Sequence, residues 1–446
     1  MLFAILAIGV ILIIVATAKF KLHPFLSLIL GTLFVGIASG MPLNKVVENM
    51  NSGFGSIMGG IGLVIVFGTI IGTILEKTGA ALRMAEVVLR VVGPKRPQLA
   101  MSLIGYIVSI PVFCDSGFVI LNSLRKALAK RANVALASMS VALATGLFAT
   151  HNLVPPTPGP IAAAGNIGAE NYLGTIILIG LITAIPATIV GYLWATRVAS
   201  KIVIEDAEEI IDYDEIIKSF GKMPSAFASF LPIILPIILI GVGSILSFFK
   251  VTGPAATFFG FLGQPVIALI AGLIAAMFLL PKLSEETLTK WVGQALLDAA
   301  PILLITGAGG AFGTIIKETG VADVIQTWDL AGSLSGALFL LIPFIIAAAL
   351  KSAQGSSTAA LVITSSLVAP LLPQMGIEGA VPLALVVMAI GAGSMTVSHV
   401  NDSFFWVVTE FSGMKVKDAY KAQTMATLLQ GIVTILFTML LWVILV

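Results

Sequence analysis

Charge is what this chain has least of: only 10% of its 446 residues are Asp, Glu, Lys or Arg, against 58% hydrophobic ones. A soluble domain carries about a quarter charged residues, so water is excluded as the main solvent of this chain. Cysteine is reduced to Cys114 alone, which excludes an intrachain disulfide and any multi-cysteine metal site. Phosphate-binding glycine loops of the form Gly-x-x-x-x-Gly-Lys-Ser/Thr are missing, and with them the in-chain sign of an ATP-driven pump. Basic residues are missing ahead of the first apolar run, Met1 to Ala18; Lys19 and Lys21 follow it, which argues against a cleaved leader. A net charge of +2 gives nucleic-acid binding no support.

What fills the chain instead is apolar sequence in runs long enough to cross a hydrocarbon core, about 20 residues each. Hydropathy set against charge places spans near 2–18, 22–40, 57–75, 134–165, 172–196, 228–249, 256–281, 291–316, 381–410 and 422–445. Two more apolar regions, 98–124 and 334–373, are interrupted at Cys114 to Gly117 and at Lys351 to Thr358, which suggests hairpins that enter and leave on one side. The expected fold is therefore an all-α polytopic membrane protein with about ten transmembrane helices, two re-entrant hairpins and two broken helices.

Ser200 to Lys222, acidic at Glu205, Asp206, Glu208, Glu209, Asp212, Asp214 and Glu215, is the only long polar stretch and reads as a solvated connector. It divides the chain into 1–199 and 223–446. The parts resemble each other: Phe67-Gly68-Thr69-Ile70-Ile71, with Thr78-Gly79 after it, recurs as Phe312-Gly313-Thr314-Ile315-Ile316 with Thr319-Gly320. Aligning Gly79 with Gly320 gives an offset of 241, which also carries Asp115 onto Ser356.

Arg83, Arg90, Lys95 and Arg96 precede the first interrupted region, and Arg125, Lys126, Lys130 and Arg131 follow it, so the positive-inside rule puts that side in the cytoplasm. The equivalent part of the second half mixes Lys317 with Glu318, Asp323 and Asp329, which suits the outside. The expectation is two repeats of inverted topology, residues 200–222 cytoplasmic and both termini outside. Inverted repeats whose broken helices meet at the midplane are the architecture of secondary transporters.

Four polar clusters interrupt the apolar stretches. Cys114-Asp115-Ser116-Gly117 and Lys351 to Thr358 are the hairpin tips; Thr150-His151-Asn152 up to Pro160, and Ser394 to Ser403, break the long helices. Backbone freed at membrane depth needs small hydroxyl and amide side chains, and the resuming half-helices turn positive N-termini towards an anion. The candidate substrate ligands are Ser116, Thr150, His151, Asn152, Lys351, Gln354, Gly355, Ser356, Ser357, Thr358 and Asn401. The candidate proton carriers are Asp115, His399 and Asp402, because an ionisable group at depth is costly and persists for a role. His399 and Asp402, three apart, would share a face if their stretch is helical. The competing readings are that Asp115 and Asp402 merely cap helices, that His399 bonds a carbonyl, that Lys351 snorkels to an interface, and that His151 sits at an outer mouth.

At these residues the chain resembles the gluconate permease family, proton symporters for gluconate and related small hydroxy acids within the wider ion transporter superfamily. The resemblance covers essentially the full length. It rests on Phe113 to Phe118, Thr150 to Pro160, Lys351 to Thr358 and Ser398-His399-Val400-Asn401-Asp402-Ser403-Phe404-Phe405-Trp406. It implies proton-driven uptake of a sugar acid across a bacterial inner membrane, with no cofactor and no catalysis. Family members that carry D-serine leave the ligand open, and a homodimer is an implication of the superfamily. Sodium coupling, a passive channel or facilitator, and more remotely an intramembrane enzyme using Ser398 or Ser403 are the alternative readings.

Overall fold

The structure, a computed structural model, describes residues 2–93, 96–204, 223–248, 251–319, 336–400 and 402–446. All regular secondary structure among them is helical. The first part holds α1 (Leu2–Ala18), α2 (Pro24–Ala38), α3 (Leu43–Lys77), α4 (Ala80–Val92), α5 (Pro97–Val108), α6 (Cys114–Ile120), α7 (Asn122–Ala132), α8 (Leu136–Leu153), α9 (Pro158–Asn166) and α10 (Leu173–Arg197). The second holds α11 (Ala226–Phe248), α12 (Pro254–Leu262), α13 (Pro265–Met277), α14 (Trp291–Glu318), α15 (Leu341–Gln354), α16 (Ser357–Val368), α17 (Ala380–Ser394), α18 (Ser403–Ser412) and α19 (Met425–Leu445). Most of the acidic connector lies outside the described residues, as do Gly320 and Asn401.

Seven of the described helices are long and apolar enough to cross a membrane, or eight if the bent pair α12 and α13 counts as one span. Shorter apolar helices, α2, α5, α16 and α17 among them, fill the spaces between. The expected straight span at 256–281 is corrected: the chain turns by 66° between Leu262 and Pro265. Pro265 opens α13, where its missing N–H costs nothing, but a proline also disfavours helical backbone at the residue before it, so the helix ends and restarts.

Both interruptions of the short apolar regions are present. α5 stops at Val108 and α6 begins at Cys114, while α15 stops at Gln354 and α16 begins at Ser357. Gly355 has φ +86, a left-handed conformation that glycine adopts without strain, and this lets the chain reverse in two residues. Both long helices are broken as well, α8 from α9 at 154–157 and α17 from α18 at 395–402.

Packing sorts the helices into two groups. α3 and α14 lie against each other, and glycines allow it: a Cβ at Gly53 would meet the Gly310 carbonyl oxygen and Thr314. α5 packs on α8 and α15 on α17, each interrupted segment against the long broken helix of its own half. The short helices then pair across the halves, α9 with α16 and α6 with α18. α8 is buried along its whole length from Ala137 to Leu153, and α17 from Leu383 to Ser394. Polar breaks in these two helices therefore lie in the protein interior, away from lipid.

Candidate functional site

Three of the four breaks converge on a cavity of about 290 Å³. Three chain segments frame it: Phe113 to Asp115 at the start of α6, Gln354 to Thr358 between α15 and α16, and Asp402 to Phe404 at the start of α18. Phe148 and His151 of α8 complete the wall. The wall is thus built from both halves of the chain.

Helix geometry explains why polar residues gather here. α16 and α18 each begin at this cavity with a capping side chain. Ser356 Oγ accepts from the Ala359 N–H at 3.2 Å, and Asp402 Oδ1 accepts from the Phe404 N–H at 3.2 Å. Other first-turn N–H groups of both helices have no intrahelical partner and point at the same space, with the positive end of each helix dipole behind them. Such an arrangement attracts a carboxylate without needing a free cation in the wall.

Beneath the cavity lies an ion pair. Lys351 Nζ sits 2.7 Å from Asp402 Oδ2, the lysine side chain fully buried and the aspartate 5% exposed. Lys351 also donates to the Gly355 carbonyl oxygen at 2.5 Å and lies over the Phe148 ring, 5.5 Å from its centre. The Ser398 hydroxyl donates to Asp402 Oδ2. Two charges taken out of water are tolerated only when paired and further hydrogen-bonded, which is the arrangement here. The pair joins the tip of one interrupted segment to the break of another, and its carboxylate faces the cavity while its ammonium does not.

Several polar atoms at the cavity have no partner: Asp115 Oδ1, His151 Nδ1, and both the oxygen and the nitrogen of the Gln354 amide. Buried polar groups are normally hydrogen-bonded, so four such atoms around one space mark a place built for another molecule to supply the bonds. They offer a donor amide, two acceptor types and an imidazole, a set that matches hydroxyl groups. Phe113 and His151 stand ring to ring, centroids 5.9 Å apart, and Phe148 stacks on Phe404 at 5.2 Å, which fixes the apolar side of the wall.

Of the residues singled out from sequence, Asp115, His151, Gln354, Gly355, Ser356, Ser357, Thr358 and Asp402 line this cavity. Ser116, Thr150, Asn152, Lys351 and His399 do not. Ser116 lies beside Glu76 of α3. Asn152 is bound to the Phe148 carbonyl and to Ser394, linking the broken helices α8 and α17. Lys351 is the floor described above. His399 is hydrogen-bonded through Nε2 to the Ser352 carbonyl at 2.9 Å. The shared helical face imagined for His399 and Asp402 does not exist: 395–402 is a helix break, and Asp402 is the cap that ends it.

Six residues of the wall or its support were not among the candidates: Phe113 and Cys114, which precede Asp115 directly, and Phe148, Ser398, Ser403 and Phe404. Phe148 is one helical turn from His151 and could have been found from that spacing, and Ser403 and Phe404 follow a named carboxylate directly. Ser398 stood in a polar cluster, but its bond to Asp402 depends on the backbone path through the break.

The comparisons with known proteins agree on what this framework belongs to. Residues 1–444 match the family described as GntP family permease. The gluconate permease of Pseudomonas aeruginosa is 32% identical over 442 residues, covering 97% of this chain and 96% of that protein. The Gnt-II system L-idonate transporter of Escherichia coli (strain K12) is 31% identical over 436 residues, covering 97% of each. Among solved structures, the YdaH transporter of Alcanivorax borkumensis, described as having an unusual topology, superposes with a TM-score of 0.62 at 16% identity, covering 90% of this chain and 88% of that one. With its many membrane-length helices and these relatives, the chain is a multi-pass membrane transport protein and belongs to the GntP permease family.

Proposed function

We propose that this protein takes up gluconate or a closely related small hydroxy acid across a bacterial inner membrane, driven by protons. The observation that carries the reading is the cavity itself. Two helix N-termini stand ready for a carboxylate, and unpartnered groups of Gln354, His151 and Asp115 stand ready for hydroxyls. Relatives named for gluconate and L-idonate support that substrate class.

Asp115 and Asp402 are the proton carriers in this proposal. Asp402 is the stronger one, because its charge is tied to Lys351. Protonating Asp402 removes a negative charge from the cavity wall and leaves the positive charge of the buried Lys351 uncompensated behind it, so a substrate carboxylate is drawn into the cavity as the proton loads. His399, held to a backbone carbonyl outside the cavity wall, is the weakest of the three.

The proposal includes two repeats of opposite orientation, 1–199 and 223–446. It is supported by the order of elements: shifted by 241 residues, α8 falls on α17, α9 on α18 and α10 on the end of the chain containing α19. Residues 200–222 are the cytoplasmic link in this arrangement, and both termini are outside.

The test is uptake of radiolabelled gluconate into proteoliposomes. An inward proton gradient is expected to drive accumulation, and replacing sodium by choline is expected to change nothing. Loss of accumulation in choline would shift the coupling ion to sodium; equilibration without accumulation would make the protein a facilitator. If Asp115→Asn and Asp402→Asn both keep pH-driven uptake, the proton assignment is wrong.

A further inference from the structure

A second cavity, about 390 Å³, lies at the other end of α16. Its polar wall is made by Ser56 of α3, Asn166 at the end of α9, Thr314 and Lys317 of α14, and Ser366 near the end of α16, with Gly313 among them. None of these is used by the substrate site described above. We propose that this cavity is a second, weaker station for the same hydroxylated carboxylate, opening to the opposite face of the membrane from the first. The proposal rests on reading the first cavity as the substrate site.

The argument begins with the direction of two helices. Gly159, at the start of α9, packs against Thr358 and Leu361 of α16, and Asn166, at its end, bonds Val362 and Ser365 of α16. α9 and α16 are therefore parallel. The nine residues of α9 rise about 14 Å, close to half of a hydrocarbon core. One cavity lies at the N-terminal end of α16 and the other at its C-terminal end, with this buried pair of helices between them. Two wet spaces separated along such a plug are what a route through the protein requires.

The second observation is the chemistry of the wall. Asn166 Nδ2 donates to the Val362 carbonyl at 3.1 Å and to Ser365 Oγ at 2.9 Å, which fixes the amide and leaves Oδ1 buried without a partner. Asn166 lines the cavity, and a small turn of its side chain would let that oxygen accept from a substrate hydroxyl there. Lys317 supplies the cation for a carboxylate.

The third is the helix dipole. α16 turns its N-terminus to the first cavity and its C-terminal end to the second, so the same helix attracts an anion at one station and opposes it at the other. Lys317 offsets that opposition only in part, since it is exposed to water. Once Asp115 and Asp402 carry protons, as the proposed coupling requires, the second station holds the substrate less tightly than the first, which suits a place of release or first encounter.

Single-cysteine labelling tests this directly. In a Cys114→Ser or Cys114→Ala background, whichever yields folded protein in detergent, Ser403→Cys reports the first cavity and Gly313→Cys the second. Gly313 tolerates a side chain, because a Cβ there meets nothing nearer than the Ser366 carbonyl oxygen at 3.6 Å. A membrane-impermeant thiosulfonate applied to one face or the other of oriented vesicles is expected to label the two positions from opposite faces. Gluconate should protect both, the second at a concentration roughly tenfold higher. Labelling of both from one face, no labelling of Gly313→Cys from either face, or labelling of Gly313→Cys that gluconate never slows would each overturn the proposal. Failure of gluconate to protect Ser403→Cys would instead overturn the substrate reading of the first cavity, and the sidedness result would still be read on its own. As an independent readout, Asn166→Ala with Lys317→Gln should weaken protection at Gly313→Cys and leave it intact at Ser403→Cys; equal effects at both would mean that these residues act on structure alone.

Discussion

The two broken helices occupy corresponding places in the chain, yet one break is lined by prolines and apolar side chains, the dry break, and the other by hydroxyls and a carboxylate, the wet break. Between α8 and α9, residues 154–157 are followed by Pro158, and Pro155 and Pro156 face Pro111, Ile161 and Leu173 across an apolar contact. Between α17 and α18, the break keeps its donors and meets them one by one. The Ser398 N–H donates to Thr427 Oγ1 at 3.0 Å, the Thr424 hydroxyl donates to the Ser398 carbonyl at 2.6 Å, and Asp402 caps α18. Proline explains the difference. Each proline removes an N–H that would otherwise need a partner, so a proline-rich break can be sealed in apolar surroundings. A break without prolines must be furnished with hydroxyls and a carboxylate, and of these Asp402 also reaches the cavity wall.

The sharpest way to break this comparison is at Asp402. Asp402→Asn should reduce uptake to background and cost about 3–5 kcal/mol of stability, because it leaves Lys351 buried and unpaired. Adding Lys351→Met should restore much of the melting temperature in detergent and none of the uptake. If the double variant transports, the ion pair is structural and the wet break has no special role.

Ser398→Ala comes next. It removes the hydroxyl that donates to Asp402 and should cost about 1.5–3 kcal/mol, seen in denaturation, with uptake slowed severalfold. Gln354→Leu should behave differently, since both polar atoms of that amide are unsatisfied in the protein alone. The expected result is a half-saturating gluconate concentration raised about tenfold in uptake assays, with stability unchanged or improved. The smallest effect belongs to the dry break. Pro158→Ala places an N–H at the first position of α9, which has no helical partner there, and should lower stability by about 1 kcal/mol or less. Its uptake kinetics should match the parent protein; a marked rise in half-saturating concentration would show that the first break also touches substrate.

Much of this was legible in the residues. Scarce charge and long apolar runs fix a helical membrane protein, because no other open structure satisfies its backbone in lipid. Asp115, the Gln354 to Thr358 stretch and Asp402 stand out for the same reason: polar groups at membrane depth are expensive and few. The bend between α12 and α13 was lost because the hydropathy of the run hid it, although Gly263-Gln264-Pro265 in its middle is a helix stop and restart that the sequence does display. Lys351 was placed with the substrate and His399 among the proton carriers from their chemistry, and neither lines the cavity, because side-chain direction at a break follows the local backbone and no periodic pattern reports it.

The sequence by itself determined the solvent, the class of fold, and where polar clusters had to interrupt the helices, since each of these follows from local composition along the chain. Only the tertiary structure decided that Lys351 pairs with Asp402, that α16 faces one cavity with its N-terminus and another with its far end, and that one break is sealed while the other is open. Those outcomes depend on which surfaces meet across hundreds of residues, and the free energy of such meetings resides in packing and desolvation that no single segment carries.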